Sequence, residues 1–392
     1  MKLESRSGNL AAVRKKIAFF RQGHFSHINE HVAEQLRARF PEYELEDIDV
    51  LQDLIKPAKM VVLRNCVHTL TRYFWQIILN RREARDCFYH TLYFFRAVRR
   101  LIQKKYGPRA HEYAFSFQTQ SLYDASIPGV PHFVYTDHTH LANTYYPGFH
   151  LARLFPLEWV ELERDIYRHA TKTFVMSKHV HHSLIEHYGH PESRVVIVRA
   201  GSNLGEPTLP LANDGYSNQR VLFVGIEWER KGGPQLFAAF SLVRQAMPEA
   251  RLVIVGCLPR ISGENVDVLG RLPLPAVGEE LRKATLLAVP SLVEPFGIIA
   301  LEAGLHKLPV IASKIGGLSD MILHDENGLL TPPDEVEPLA AAIVRLLRDP
   351  EKCRALGEKG YEVVRQNYTW DLVGSRLHGE ISAALAPAPS GQ

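Results

Sequence analysis

Short β-type runs alternate with helix-patterned segments along nearly the whole chain, and one stretch without periodicity interrupts the alternation. Before the break the β-type runs are Lys16–Phe20, Tyr43–Val50, Tyr113–Phe117, Phe133–Thr136, Thr173–Met176 and Val195–Val198. After it they are Val221–Val224, Leu252–Val255, Leu286–Val289, Pro309–Ala312 and Leu329–Leu330. The break, residues 203–219, is rich in Pro, Gly and Asn and reads as a linker. Strands that alternate with helices form a mostly parallel sheet covered on both faces. A chain of 392 residues is also too long for one ordinary core. The expectation is therefore an α/β protein of two Rossmann-like domains, 15–205 and 206–370, facing a central cleft. Residues 1–14 read as a loose arm and Ala384–Gln392 as a disordered tail. Ligands of open parallel sheets bind beyond the carboxyl ends of the strands, so the chemistry is sought in the turns there.

Composition narrows the class. Net charge is only +3, and a hydrophobic content of 46% is ordinary for a globular protein. Cys66, Cys87, Cys257 and Cys353 lie far apart with no C-x-x-C pair, which argues against a disulfide framework and a zinc site. The polar start Met-Lys-Leu-Glu-Ser lacks the apolar core of a signal peptide, and no apolar run is long enough to span a bilayer. A cytoplasmic, soluble protein is expected, or one attached peripherally to the inner face of the membrane.

Charge is not evenly spread. Residues 56–110 hold thirteen Lys or Arg against Glu83 and Asp86, with Tyr73, Phe74, Trp75, Phe88, Tyr89, Tyr93, Phe94 and Phe95 interleaved. Such segments suit an anionic membrane surface. The competing reading is a solvated basic face over a buried aromatic core. No recognition motif accompanies the charge, so nucleic acid is not expected as a partner.

The most informative segment is Ser291-Leu-Val-Glu-Pro-Phe-Gly-Ile-Ile-Ala-Leu-Glu-Ala-Gly304. It follows an apolar run that reads as a buried strand and reads as a Pro/Gly turn leading into a helix. A helix N-terminus offers free N–H groups and the positive end of the dipole to an anion. Glu294 falls in the turn and Glu302 about five residues into the helix, roughly 7–8 Å along its axis. Carboxylates on either side of an anion site can grip two sets of hydroxyls, as a sugar and a ribose flanking a diphosphate would present. Upstream, Val221-Leu-Phe-Val-Gly225 runs into Ile-Glu-Trp-Glu-Arg-Lys-Gly-Gly233, and His132-Phe-Val-Tyr-Thr-Asp-His138 is a strand running into Thr-x-His.

Glu-Pro-Phe-Gly-Ile-x-x-x-Glu-Ala resembles the E-x7-E signature of the retaining glycosyltransferases of family 4, which have the GT-B fold. The resemblance covers about residues 16–380 and implies a donor site of Gly23, Arg230, Lys231, Phe296, Gly297, Ile298, Ile299 and Glu302. His138 and Glu294 are the implied catalytic residues. Lys231 matches the family lysine in its spacing from Gly225, whereas the residue after that glycine is Ile226 in place of the family arginine, with Arg230 as substitute. The family's Gly-Gly pair after the first strand is reduced to Gly23, with His24 beside it. Gly316-Gly317 resembles the Gly-Gly-x-x-Glu loop with Asp320 in place of Glu, although a tight turn before a helix explains it too. Leu269-Gly270-Arg271-Leu272 matches a loop whose backbone meets the nucleobase in relatives. Tyr368-Thr-Trp370 resembles the opening of a last helix, 371–386, that crosses back to the first domain.

The implied reaction moves a sugar from a nucleoside-diphosphate-sugar to an acceptor hydroxyl of a glycan or glycolipid, with retention and without metal or other cofactor. His138-x-His140 also reads as a metal pair, but no further ligands stand out at matched positions. His179, His181 and His182 read as surface residues of an amphipathic helix. The alternative function is a non-catalytic GT-B protein acting as a membrane-associated scaffold or partner subunit. Ile226, Asp320 and the single Gly23 favour that alternative, while Glu294, Glu302 and Lys231 oppose it. A nicotinamide dehydrogenase would need G-x-G-x-x-G after a first strand, which neither half carries.

Overall fold

The computed structural model describes residues 14–23, 25–204 and 215–387, so the proposed arm up to residue 13, His24 and most of the 203–219 linker lie outside the described residues. The first half comprises β1 (Lys16–Arg21), α1 (Ile28–Arg39), β2 (Glu44–Asp49), α2 (Lys59–Ile78), α3 (Ala84–Tyr89), α4 (Leu92–Tyr106) and β3 (Tyr113–Thr119). It continues through β4 (His132–Thr136), α5 (Leu157–His169), β5 (Lys172–Val175), α6 (Lys178–Glu186) and β6 (Val195–Ile197). The second half comprises β7 (Arg220–Val224), α7 (Gly233–Ala246), β8 (Arg251–Val255), β9 (Val266–Gly270), α8 (Leu274–Lys283), β10 (Leu286–Val289) and α9 (Ile298–Leu305). After these come β11 (Val310–Ser313), α10 (Leu318–Met321), β12 (Gly328–Thr331), α11 (Val336–Leu347), α12 (Pro350–Asn367) and α13 (Trp370–Leu385).

All strand pairs are parallel, in two six-stranded sheets ordered β2-β1-β3-β4-β5-β6 and β12-β11-β10-β7-β8-β9. The fold is thus the expected pair of Rossmann-like units. Strand order reverses between β1 and β3 in one sheet and between β7 and β10 in the other. At such switch points the flanking loops diverge and leave a crevice for ligand. The Val, Ile, Leu and Phe runs that marked the strands are buried on both faces, as covered parallel strands must be.

Three differences from the sequence reading have local causes. Strand β9 went unread because it is a sheet edge: Val266, Asp267, Val268 and Leu269 are half-buried or exposed, with no apolar run to betray them. The tail does not begin at Ala384, because α13 continues through Leu385. The polar segment ahead of β1 is not loose at Arg14, whose Nε donates to the Glu42 carbonyl at 2.8 Å.

Helix α13 packs on α1. The Trp370 ring stacks on His31 with centroids 4.9 Å apart, and Arg39 pairs with Asp371. Thr369 caps the helix by accepting the Leu372 N–H at 3.3 Å. Apolar packing runs from Phe19 and Phe117 of the first sheet to Val253 and Leu287 of the second in one cluster.

Candidate active site

Lys231 and Glu294 leave the ends of β7 and β10, the two strands that flank the second switch point. The loops are stitched together before the side chains meet: Leu292 N–H donates to the Arg230 carbonyl at 2.9 Å, and Arg230 Nη1 donates to the Val293 carbonyl at 2.7 Å. Gly232 lies at φ +71°, and a Cβ there would come within 1.8 Å of the Pro290 carbonyl oxygen. The backbone can close this tightly only with glycine. In the resulting notch Lys231 Nζ meets Glu294 Oε2 at 2.5 Å, and Ser291 Oγ donates to the same oxygen at 2.9 Å.

Gly297 starts α9 at φ +99°, and a side chain there would strike Leu318. The amides of Ile298 and Ile299 fall in the first turn, where no intrahelical acceptor exists. The Phe296 ring is buried near Tyr368, so this residue offers its backbone rather than its ring. Glu302 lies on the buried side of α9, and burial pushes its carboxyl up to about 7 against the opposing backbone N–H of Asn203.

The first domain faces this notch with the loop after β4. His138 is largely buried, its Nδ1 has no hydrogen-bond partner, and burial pulls its ring down to about 4. His179 and Arg230 add to that, opposed by the Asn143 side chain. The Arg230 guanidinium also acts on Asp137 and Tyr146, as does the Glu294 carboxylate, so the two loops share one electrostatic field. Burial raises Asp137 to about 6. The loop is anchored from beneath by Glu163, which accepts from Ser121 Oγ and the His140 N–H at 3.1 Å and from the Tyr188 hydroxyl.

The structure thus brings Arg230, Lys231, Glu294 and His138 to one cleft. Gly23 forms the β1–α1 turn, where its carbonyl accepts from Asn29 Nδ2 at 2.8 Å. Ile226 is exposed, and Arg230 is held by Glu227 as well as by Val293. His140 does not pair with His138: its Nε2 accepts the Phe155 N–H at 2.8 Å, and its ring sits among His90, Phe155 and Trp159.

Asp137, Tyr146 and His179 escaped the sequence reading. Asp137 stands inside the quoted Thr-Asp-His string and could have been found there. Tyr146 carried no signal: its hydroxyl is buried without a partner, and a Cβ on Gly316 would lie 3.2 Å from it. His179 corrects the expectation of a surface residue, because the start of α6 faces the second domain and the His179 ring lies 4.9 Å from that of Tyr146. Lys178 N–H at that helix start donates to Asp320 Oδ2 at 2.6 Å, so Asp320 bridges the domains. Between them lies a cavity of about 450 Å³ lined by Tyr145, Lys178, His179, Lys314, Gly316 and Asp320.

Two parallel Rossmann-like sheets facing a cleft form the GT-B architecture. Residues 217–363 match the family model Glycosyl transferases group 1. Sucrose-phosphate synthase from Thermosynechococcus elongatus has a similar fold (TM-score 0.66, 20% identity, 95% of this chain and 100% of that one). So does the Anabaena protein HepE solved with UDP-glucose (TM-score 0.65, 16% identity, 94% of this chain and 99% of that one). In sequence the chain is 30% identical over 224 residues to a D-inositol 3-phosphate glycosyltransferase of Segniliparus rotundus, covering 52% of this chain and 50% of the relative. It is 33% identical over 164 residues to a GDP-mannose-dependent monoacylated alpha-(1-6)-phosphatidylinositol monomannoside mannosyltransferase of Corynebacterium glutamicum, covering 38% and 43%. The chain therefore matches about half the length of these curated relatives.

Proposed function

We propose that this chain transfers a sugar from a nucleoside-diphosphate-sugar to an acceptor hydroxyl, with retention at the anomeric carbon and without a metal ion. The observation that carries the reading is the Lys231–Glu294 notch at the second switch point, facing His138 across the cleft. Lys231, Arg230 and the first-turn amides of α9 supply fixed positive charge for the departing diphosphate, as preorganised donors do for a developing anion. Glu294 accepts from hydroxyls of the donor sugar and Glu302 from the ribose. The acceptor oxygen bonds to the anomeric carbon on the face that the phosphate oxygen leaves, and the acceptor's proton passes to that leaving oxygen. His138, neutral at physiological pH, orients sugar and acceptor by hydrogen bonding.

The acceptor is a hydroxyl of a cell-envelope glycan or glycolipid. The basic region 56–110 brings the chain to the inner face of an anionic membrane from the cytoplasm. No helix among the described residues is long and apolar enough to cross a membrane. HepE was solved with UDP-glucose and one relative is GDP-mannose-dependent, so UDP, GDP and ADP are the probes to compare.

The test is thermal unfolding of the purified chain with each diphosphate, followed by hydrolysis assays with the corresponding sugar nucleotides. A ligand selective for the folded state raises the midpoint. Stabilisation by one diphosphate together with slow donor hydrolysis is expected. Stabilisation without hydrolysis or transfer to any acceptor would instead mark a non-catalytic binding protein.

A further inference from the structure

Helix α2 is built inside out. Met60, Leu63, Val67, Leu70, Phe74 and Ile78 recur every three or four residues and form one helical face, and that face points away from the protein: Leu63 is 59% exposed, Ile78 63%, and Trp75 next to Phe74 at the edge of the face 68%. The residues of α2 that face inward are Asn65, Thr69 and Tyr73. Asn65 Nδ2 donates to the Phe88 carbonyl at 2.8 Å, Thr91 donates to Asn65, and the Tyr73 hydroxyl donates to the His90 carbonyl at 2.9 Å. A surface helix of a water-soluble domain has the reverse arrangement. An exposed apolar face of this length marks an interaction surface.

Charge selects the occupant. Helix α2 carries Lys59, Arg64 and Arg72 and no Asp or Glu. Two copies meeting through this face would confront cation with cation, whereas an anionic bilayer supplies both an acyl phase and negative headgroups. At the edge of the apolar face, between α2, α4 and the start of α5, lies a cavity of about 380 Å³ whose walls include His68, Thr71, Arg72, Tyr93, Arg96 and Arg100. No acidic side chain lines it. Arg72 leans on Glu158 at 3.7 Å, but Arg96 and Arg100 are exposed and have no ion-pair partner among the described residues. His90 and Trp159 close the cavity and also wall a second one of about 210 Å³ that reaches Asp137 and His138.

Building on the function proposed above, we propose that the outer face of α2 lies in the headgroup–acyl boundary of an anionic bilayer and that the Arg96/Arg100 cavity seats the phosphate of a phospholipid-type acceptor. The lipid's chains then run along Leu63, Val67, Leu70 and Trp75. Its headgroup is left beside the His90–Trp159 wall, with the His138 site behind.

Trp75 reports the insertion directly. The full chain is mixed with vesicles of phosphatidylcholine alone or with phosphatidylglycerol added, and its emission is compared with that of Trp75→Phe. The expected result is a blue shift, and quenching by brominated acyl chains, only with phosphatidylglycerol and only when Trp75 is present. Joint Arg96→Gln and Arg100→Gln substitution should weaken that binding by about 30-fold, from roughly 1 kcal/mol per cation near an anionic surface. Lys104→Gln with Lys105→Gln, equal in charge but outside the cavity, should weaken it less. Equal losses from the two pairs would remove the phosphate seat. A Trp75 that stays in water with phosphatidylglycerol vesicles at low salt would overturn the membrane face, as would a dimer that Leu63→Ser with Leu70→Ser dissolves. Sugar-nucleotide hydrolysis by the lipid-free chain is assayed in parallel. Hydrolysis without a lipid response sinks only this inference, and a lipid response without hydrolysis sinks only the enzymatic reading.

Discussion

The Lys231 ammonium rests on the Glu294 carboxylate, joining two loops 63 residues apart in the chain. Both side chains are mostly buried, with 16% and 6% of their surfaces exposed. Neither charge would be tolerable there alone. In the proposed reaction each has another partner: the diphosphate for Lys231 and the sugar hydroxyls for Glu294. Without donor they neutralise each other, and a bound nucleotide-sugar exchanges this one contact for two.

Breaking the pair from one side should therefore cost more than removing it. Lys231→Met strands a buried carboxylate and should destabilise the fold by about 3 kcal/mol, the low end for a broken buried pair because Lys231 keeps some solvent contact. Adding Glu294→Gln should recover much of that loss. Urea denaturation of both single variants and the double variant gives the coupling energy. A double variant as unstable as the sum of the two singles would mean the contact is incidental. In activity, Lys231→Met should chiefly weaken donor binding and Glu294→Gln chiefly lower kcat.

What was readable beforehand follows from how local each signal is. The strand runs were legible because a covered parallel strand is apolar throughout, and β9 was not because an edge strand escapes that demand. The Glu294 turn was legible because Pro295 and Gly297 punctuate it. Tyr146 and His179 were not, because their positions depend on how one domain meets the other. Region 56–110 was half legible. Tyr73, Phe94 and Phe95 are buried while Phe74 and Trp75 face out, and Arg82, Arg99 and Arg109 are engaged by carbonyls, Asp124 and Glu46. Periodicity shows that α2 has an apolar face. Only the bonds of Asn65 and Tyr73 show which way that face turns.

Donor turnover should survive exhaustive EDTA treatment. In the proposed reaction Lys231, Arg230 and the α9 amides would provide the positive charge that a divalent ion would otherwise bring to the diphosphate. The assay is donor hydrolysis before and after chelation. Complete loss, restored by magnesium or manganese, would assign the leaving-group role to a metal instead.

Affinity for the sugar nucleotide should rise with pH, and Glu302 should be the cause. Burial lifts its carboxyl from the ordinary 4.5 to about 7, so at pH 6 it is mainly protonated and a poorer acceptor for ribose hydroxyls. The donor's diphosphate diester does not itself titrate in this range. KM should fall between about pH 6 and 8 in the parent and stay level in Glu302→Gln, whose affinity should be weaker by about 1.5–3 kcal/mol at the upper end. The contribution of Glu302 to stability should move the opposite way. The folded state holds a proton at this carboxyl that the unfolded state releases between 4.5 and 7, so that single contribution falls as pH rises through the window. A KM profile unchanged by Glu302→Gln would take Glu302 out of the ribose site.

Acid should destabilise the fold well before its carboxylates are generally protonated. Burial, the leading cause in every case, pulls His90, His132, His138, His179 and His190 to about 4 and His140 to about 3, from an ordinary 6.5. As pH falls from 6.5 toward 4, the unfolded chain takes up protons at these six sites that the folded chain refuses, and stability is lost. Asp137 at about 6 and Glu163 and Glu302 at about 7 act in the opposite sense, since there the folded state gains the proton. Burial also lowers His187 and His306 and raises Asp86 and Asp320, so eight imidazoles stand against five carboxyls and leave a net loss. The urea midpoint should accordingly drop between about pH 7.5 and 5.5. Because His138 is already neutral throughout that interval, kcat should show no inflection near the ordinary histidine value even as the fold weakens. A kcat limb near pH 6.5 that disappears in His138→Asn would show that the ring titrates in the working enzyme, and the orienting role of a neutral imidazole would have to give way to proton transfer.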